Sequence, residues 1–230
     1  MNNQSTLVKV IIWLMVFLMS VGFVGLVIAP FMGNTNLFGD GTGRGATEKL
    51  VAEARADIAK DNCDATGKDK PTGKRLERCE DALSRLASSY MTLATPPDGT
   101  EEYPRDAQRN FDRSGEAWKA LYTLNPSNDD NAARYAGWMR DAGDSEGALN
   151  LWDKLVKKNP EDEDFILQKA GAQVQAQDID AAVATYRLYI KRFPDSGQID
   201  SIKDEIKNLI AQQKEQAAGG GAGDAPITVQ

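Results

Sequence analysis

Histidine is absent from the 230 residues of this chain, and cysteine occurs only twice. Without histidine the commonest general base is missing, and so are the usual catalytic triads and most zinc sites. Adjacent acids such as Asp129 and Asp130 are normally partners of a helix start rather than catalytic groups. The composition therefore argues against an enzyme, and we expect neither a cofactor nor a metal site.

An excess of positive charge is also lacking. The chain has 27 Lys and Arg against 34 Asp and Glu, which gives a formal net charge of −7. Sequence-independent binding of nucleic acid requires a basic face. We therefore expect no nucleic-acid partner.

Charged residues are missing altogether from residues 10–33. An uncharged apolar run of this length can cross a bilayer as one helix; a buried core helix and a cleaved signal peptide are the alternatives. Pro30, directly after the best cleavage position, favours an uncleaved anchor. Because Lys9 is the single charge before residue 40, the positive-inside rule predicts a cytoplasmic tail at 1–9 and a transmembrane helix at 10–32. We thus predict a single-pass protein of the bacterial inner membrane, in contact with the lipid bilayer through residues 10–32 and otherwise extracytoplasmic.

Cys63 and Cys79 are either unrelated buried thiols or a disulfide, and the compartment decides between the two. An extracytoplasmic location favours the disulfide. It would close the most basic loop of the chain, which contains Lys68, Lys70, Lys74, Arg75 and Arg78. A glycine-rich linker at 33–45 precedes this region, and residues 46–79 are predicted as a helix, capped by Thr47, plus the closed loop.

A spacing of 34 residues recurs in the second half of the chain, where the pattern is helical and no strand alternation occurs. Four sets of positions share this spacing. One set ends a helix before proline, two sets are large apolar or aromatic residues, and one set is small. They are Asn125-Pro126, Asn159-Pro160 and Phe193-Pro194; Trp118, Trp152 and Tyr186; Leu121, Leu155 and Tyr189; and Ser114, Ala148 and Ala182.

These positions resemble the tetratricopeptide repeat (TPR) family, whose 34-residue unit is a helix–turn–helix with small, aromatic and proline signature positions. The resemblance covers residues 80–194 and implies an all-α solenoid of about three helix pairs. Lys169 and Gln173 depart from it, because the family usually has apolar residues there. The signature positions are Tyr135, Ala136, Ala148, Trp152 and Pro160 in the second unit, and Ala170, Ala182, Tyr186 and Pro194 in the third.

The ends of the repeat region carry further expectations. The first unit contains an insertion of 15 residues, about 94–108, that we expect to be mostly a loop; it is either functional or a tolerated surface insertion. Residues 195–216 are predicted as a capping helix with an isoleucine-rich face. Residues 217–230 are predicted as a disordered tail.

The resemblance implies a scaffold that binds peptides or proteins in a groove lined by the first helix of each pair. The side chains are small, with acids at one edge, so a basic or amphipathic partner segment suits the groove. Carried over by position, the lining residues are Asp81, Ser84, Ser88, Met91, Asp130, Ala133, Gly137, Arg140, Asp164, Leu167 and Gly171.

Two functions fit these observations. The first is a membrane-tethered scaffold or co-chaperone that recruits protein partners, either subunits of a membrane complex or exported polypeptides. The alternative is a permanent accessory subunit of a larger membrane or envelope complex, in which the insertion and the tail make the contacts.

Overall fold

The computed structural model describes residues 43–97 and 100–219. The chain divides into a unit Met1–Ala46, of which residues 43–46 are described, and a unit Thr47–Gln230. The described residues form eight α-helices and one short 3-10 turn, without a β-strand, which confirms the all-α prediction. The helices are α1 (Arg44–Lys60), α2 (Gly73–Ala94), α3 (Ala107–Leu124), α4 (Asp129–Asp141), α5 (Ser145–Lys158), α6 (Glu163–Gln175), α7 (Ile179–Arg192) and α8 (Ile199–Gly219).

Helices α2 and α3, α4 and α5, and α6 and α7 form three consecutive hairpins, and α8 packs against α7. The second helices end at Leu124, Lys158 and Arg192, at the spacing found in the sequence. The caps repeat as well. Asn128 and Asp162 accept backbone N–H bonds at the starts of α4 and α6, and Asp144 and Asp178 do so at the starts of α5 and α7.

Several helix boundaries differ from the expected ones. Helix α1 begins at Arg44, so Thr47 is not its cap but a buried residue of its first turn. Helix α2 begins at Gly73, inside the segment expected to be a basic loop. Helix α8 continues to Gly219, into the expected tail, and residues 220–230 lie outside the described residues.

The small and the large residues that share the 34-residue spacing lie in the core, whereas the prolines that end each unit are exposed. The small residues Ser114, Ala148 and Ala182 are fully buried, because the two helices of each pair meet there. The large residues that follow them fill the space between neighbouring helices. Trp118 is 6% exposed, Trp152 2% and Tyr186 7%.

The two polar residues at apolar signature positions both have partners. The Lys169 ammonium lies 2.6 Å from an Asp153 carboxylate oxygen across the α5–α6 contact. Gln173 is buried, and its side-chain oxygen accepts a hydrogen bond of 2.7 Å from the Thr185 hydroxyl. Partnered polar groups can occupy such positions at little cost, so the third unit keeps the repeat geometry.

An aromatic stack joins α3 to α4. The Trp138 ring lies 5.6 Å from the Phe111 ring and 6.2 Å from the Tyr135 ring, measured between centroids. Its indole N–H donates a 3.1 Å hydrogen bond to the Phe111 carbonyl oxygen. The indole lies directly over Gly115 of α3, where a Cβ atom would overlap it. Only a glycine therefore permits this approach of the two helices.

A carboxylate on each first helix holds the end of the second helix of the same pair. One Glu80 oxygen accepts hydrogen bonds from the side-chain amides of Asn125, Asn128 and Asn131, at 2.9, 3.2 and 2.8 Å. Asp129 is the equivalent residue of the next unit. Its carboxylate accepts hydrogen bonds from the Lys158 ammonium at 2.7 Å and from the Asn159 side-chain amide at 2.9 Å.

In the first two units, the asparagine before proline is therefore a hydrogen-bond donor as well as a helix end. In the third unit Phe193 stands at that position, and the Tyr189 hydroxyl donates to Glu163 instead. We call Glu80, Asp129 and Glu163 the junction carboxylates.

We predict a pH-dependent effect of D129N. The bond from the Lys158 ammonium holds the pKa of Asp129 below its ordinary value of 3.8. A carboxyl group whose pKa is lower in the folded than in the unfolded protein stabilises the fold at pH values above its unfolded-state pKa. This contribution is lost as the pH falls through the folded-state pKa. At pH 7, D129N should lower the free energy of unfolding by about 0.5–1 kcal/mol.

Urea unfolding of wild type and D129N between pH 7 and pH 3 measures this difference, which should shrink as the pH approaches 3.8 and below. D200N is the control, because Asp200 is 95% exposed and lies on α8, away from this junction. A difference that stays constant over the whole pH range would contradict the assignment.

Helix α8 covers the last hairpin. Ile202, Ile206 and Leu209 are buried in one cluster with Tyr186 and Tyr189 of α7. The other face of α8 is charged and exposed, and it carries the ion pair of 2.7 Å between Lys207 and Asp204.

The predicted inner-membrane location is contradicted. Among residues 43–97 and 100–219, none of the helices is both long and apolar enough to cross a membrane. The span predicted at residues 10–32 and the tail at 1–9 lie outside the described residues.

Candidate functional site

The expected groove residues lie on the first helices of the three hairpins, α2, α4 and α6. Helices α4 and α6 approach each other directly. Helices α2 and α4 are joined through the hydrogen bond from the Asn131 amide to Glu80. The structure thus brings the expected residues of α4 and α6 onto neighbouring helices.

On α2, the expected residues are only partly available to a partner. Asp81 is exposed, but its carboxylate accepts a 3.0 Å hydrogen bond from Arg85. Ser84, Ser88 and Met91 are half-buried. This helix therefore adds small and partly covered side chains rather than free charge.

On α4, the four expected residues divide into accessible and inaccessible ones. Asp130 is exposed, and its carboxylate accepts no hydrogen bond from the described residues. Ala133 is only 4% exposed, which corrects its assignment to the groove lining, because a buried methyl cannot touch a partner. A Cβ atom added to Gly137 would meet no other atom within 4 Å, so the space above this backbone is open.

Arg140, the fourth expected residue of α4, is held in place rather than free. Its guanidinium donates a 2.7 Å hydrogen bond to the Gln168 side-chain oxygen of α6 and a 2.9 Å bond to Asp141. The side chain is 13% exposed. Arg140 therefore connects the two helices, and its fixed position limits what it can offer to a ligand.

On α6, Asp164 is exposed at the first turn, and the other two residues are half-buried. Partial desolvation, together with the charges of Asp162 and Glu163, raises the pKa of Asp164 above its ordinary value. Leu167 packs against the core cluster beneath it. A Cβ atom added to Gly171 would lie 4.0 Å from an Arg140 nitrogen, so Gly171 leaves room for that side chain.

Sequence reasoning missed Gln168 and Asp141, the partners that fix Arg140. No spacing rule points to them, since a hydrogen bond between first helices of two units depends on rotamers rather than on the 34-residue repeat. What results is a surface with two exposed acids, Asp130 and Asp164, at equivalent positions of neighbouring helices. Open backbone at Gly137 lies two helical turns further along α4.

The predicted disulfide is present. The sulfur atoms of Cys63 and Cys79 are 2.04 Å apart and their Cα atoms 5.4 Å apart. Both residues are buried in one cluster with Leu83 and Trp118. The bond ties the segment after α1 to α2.

The hairpin geometry, the buried small and aromatic residues and the repeated caps all follow one unit length. Residues 139–206 match the tetratricopeptide repeat family. The match runs from the end of α4 through α5, α6 and α7 into α8, and it supports the resemblance found in the sequence. Scaffolds built from TPR units are typically not enzymes.

Solved structures are similar at low sequence identity. A thermophilic TPR protein of Thermus thermophilus is 10% identical, with a TM-score of 0.49 over 73% of this chain and 74% of that chain. MamA of AMB-1 is 15% identical, with a TM-score of 0.44 over 74% and 89%. The TPR2AB domain of yeast Sti1, in its complex with pHSP90, is 14% identical, with a TM-score of 0.37 over 72% and 78%. No curated protein matches the sequence.

Proposed function

We propose that this protein is a scaffold that binds a basic or amphipathic segment of a partner protein across α4 and α6. Exposed Asp130 and Asp164 carry this proposal. They occupy equivalent positions on neighbouring first helices, and neither carboxylate accepts a hydrogen bond from the described residues. Open space above the Gly137 backbone, two helical turns after Asp130 on α4, lets a partner chain approach this helix closely.

A cationic partner is the occupant that these charges favour. Desolvation and neighbouring acids raise the pKa of Asp164, which means that its charge is poorly compensated in the free protein. A lysine or arginine of the partner would stabilise the ionised form and so gain a charge-assisted hydrogen bond. Binding should therefore weaken as salt concentration rises.

We propose a transient, co-chaperone-like interaction rather than permanent assembly into a complex. Permanent interfaces resemble a divided hydrophobic core. Within residues 43–97 and 100–219, Tyr103 and Leu188 are the exposed large apolar residues, and each is only 42% exposed. Fully exposed large apolar side chains are thus scarce on the described surface, as in proteins that bind and release.

The double variant D130N/D164N tests this proposal. The probe is a fluorescein-labelled amphipathic peptide in which lysine and leucine alternate, titrated in fluorescence anisotropy. Loss of two charge-assisted contacts should weaken binding by about tenfold to a hundredfold.

D200N/D204N is the matched control, because it removes two exposed acids of α8 and leaves α4 and α6 unchanged. It should stay within about twofold of wild type. Equal affinities for D130N/D164N and wild type would remove the groove assignment.

A further inference from the structure

A second surface lies outside the row of first helices. A cleft of about 290 Å³ opens between α1, α2 and α3. Its floor is apolar and includes Ile58 of α1, Leu83 and Leu86 of α2, and Ala117 of α3. We call this surface the arginine cleft, because Arg55 and Arg113 line it.

Both arginines share one aromatic ring. The guanidinium carbon of Arg55 and that of Arg113 each lie 5.6 Å from the centroid of the Tyr90 ring. Tyr90 is 3% exposed and packed among Val51 and Leu93, so the ring is a fixed platform for both cations.

Neither guanidinium has a carboxylate within 4.0 Å among the described residues. Two other arginines of α2, in contrast, form ion pairs with acids of α1 or of the segment directly after it. Arg78 pairs with Asp61 and Arg85 with Asp57, each at 2.7 Å. Asp64 and Glu116 line the same cleft, yet within the described part of the chain neither of them forms an ion pair with Arg55 or Arg113, which is unusual in a chain with a net charge of −7. Their planar forks remain available for a carboxylate.

Asp64 and Glu116 also line the cleft, and the position of Asp64 makes the two ends of the cleft differ in charge. Asp64 follows Cys63, whose disulfide partner Cys79 lies one helical turn before Leu83. Leu83 and Tyr90 are seven residues apart on α2, about 10 Å along the helix axis. The arginines therefore mark one end of the cleft and Asp64 the other, while Glu116 lies on α3 one turn from Arg113.

We propose that the arginine cleft binds an acidic–apolar segment of a partner protein. A carboxylate of the segment pairs with Arg55 and Arg113 at the Tyr90 end, and an apolar side chain next to it fills the floor at Leu86. The cleft thus selects a partner whose charge is opposite to the one proposed for α4 and α6, so the two surfaces can hold two different proteins.

Selection from a displayed random-peptide library on the purified protein tests this inference. Selected sequences are then synthesised with amidated C-termini and titrated in fluorescence anisotropy. We expect a class with Asp or Glu next to Leu, Ile or Phe, whose affinity falls at least tenfold in R55Q/R113Q, because charge-assisted contacts are lost.

One variant separates this surface from the other one, and two variants of Tyr90 test the aromatic platform. D130N/D164N should leave this peptide class within about twofold of wild type. Y90F keeps the ring and should also bind normally, whereas Y90L removes the platform and should weaken binding severalfold. Circular dichroism verifies the fold of each variant.

The inference is overturned if no peptide is selected, if the selected peptides lack the acidic–apolar pair, or if R55Q/R113Q binds them as tightly as wild type. None of these outcomes affects the proposal for α4 and α6, which is measured with a basic probe.

Discussion

G115A should lower the free energy of unfolding by about 2–3 kcal/mol, because one added methyl group overpacks the contact between α3 and α4. The new Cβ atom would overlap the indole ring of Trp138. To make room, the indole must leave its stack with Phe111 and Tyr135 and give up its hydrogen bond to the Phe111 carbonyl. Urea unfolding followed by circular dichroism at 222 nm measures the loss.

G137A is the matched control on the neighbouring helix. Gly137 also lies inside a helix, but a Cβ atom there meets nothing within 4 Å. Alanine has a helix propensity higher than glycine by about 1 kcal/mol, so G137A should be slightly more stable than wild type. If G115A were as stable as wild type or more stable, like G137A, the packing explanation would be wrong and backbone freedom would dominate.

Replacement of both cysteines, in C63S/C79S, should lower the free energy of unfolding by roughly 3 kcal/mol. The disulfide spans a sequence separation of 16, and the chain-entropy model gives about this value for a loop of such length. The largest effect should fall on α1, since the bond ties the segment that follows it to α2. Thermal unfolding and amide hydrogen exchange of α1 are the two measurements.

Reduction of the wild-type protein provides the comparison for this variant. After reduction, wild type and C63S/C79S should unfold at the same urea concentration within error, and oxidised wild type should need clearly more. If the oxidised and reduced forms had equal midpoints, packing of Val51 and Ala54 and the ion pairs of Asp57 and Asp61 would account for α1 by themselves.

The 34-residue spacing predicted the hairpins because it records a packing requirement that each unit meets in the same way. Ser114, Ala148 and Ala182 must be small where helices meet, and a larger residue would be destabilising at every repeat. Such repeated constraints are visible in a single sequence. The part that matches the TPR family, residues 139–206, accordingly lies in the regular region from the end of α4 into α8.

Features that occur once could not be derived in this way. The start of α2 at Gly73 places basic residues in a helix, although Pro71 and Gly73 are typical loop residues. Ala133 was assigned to the groove by position, yet α4 presents it to the core. Contacts between units, such as Arg140 with Gln168, depend on rotamers that no spacing encodes.

The last helix has one further consequence. Its inner face packs against the apolar surface of α7. Its outer face carries charged side chains, which form ion pairs within α8 such as that of Lys207 with Asp204. Between residues 199 and 215, α8 has no large apolar side chain that is exposed and could pack against a hairpin from another molecule. Addition of a further hairpin against this part of α8 is therefore disfavoured.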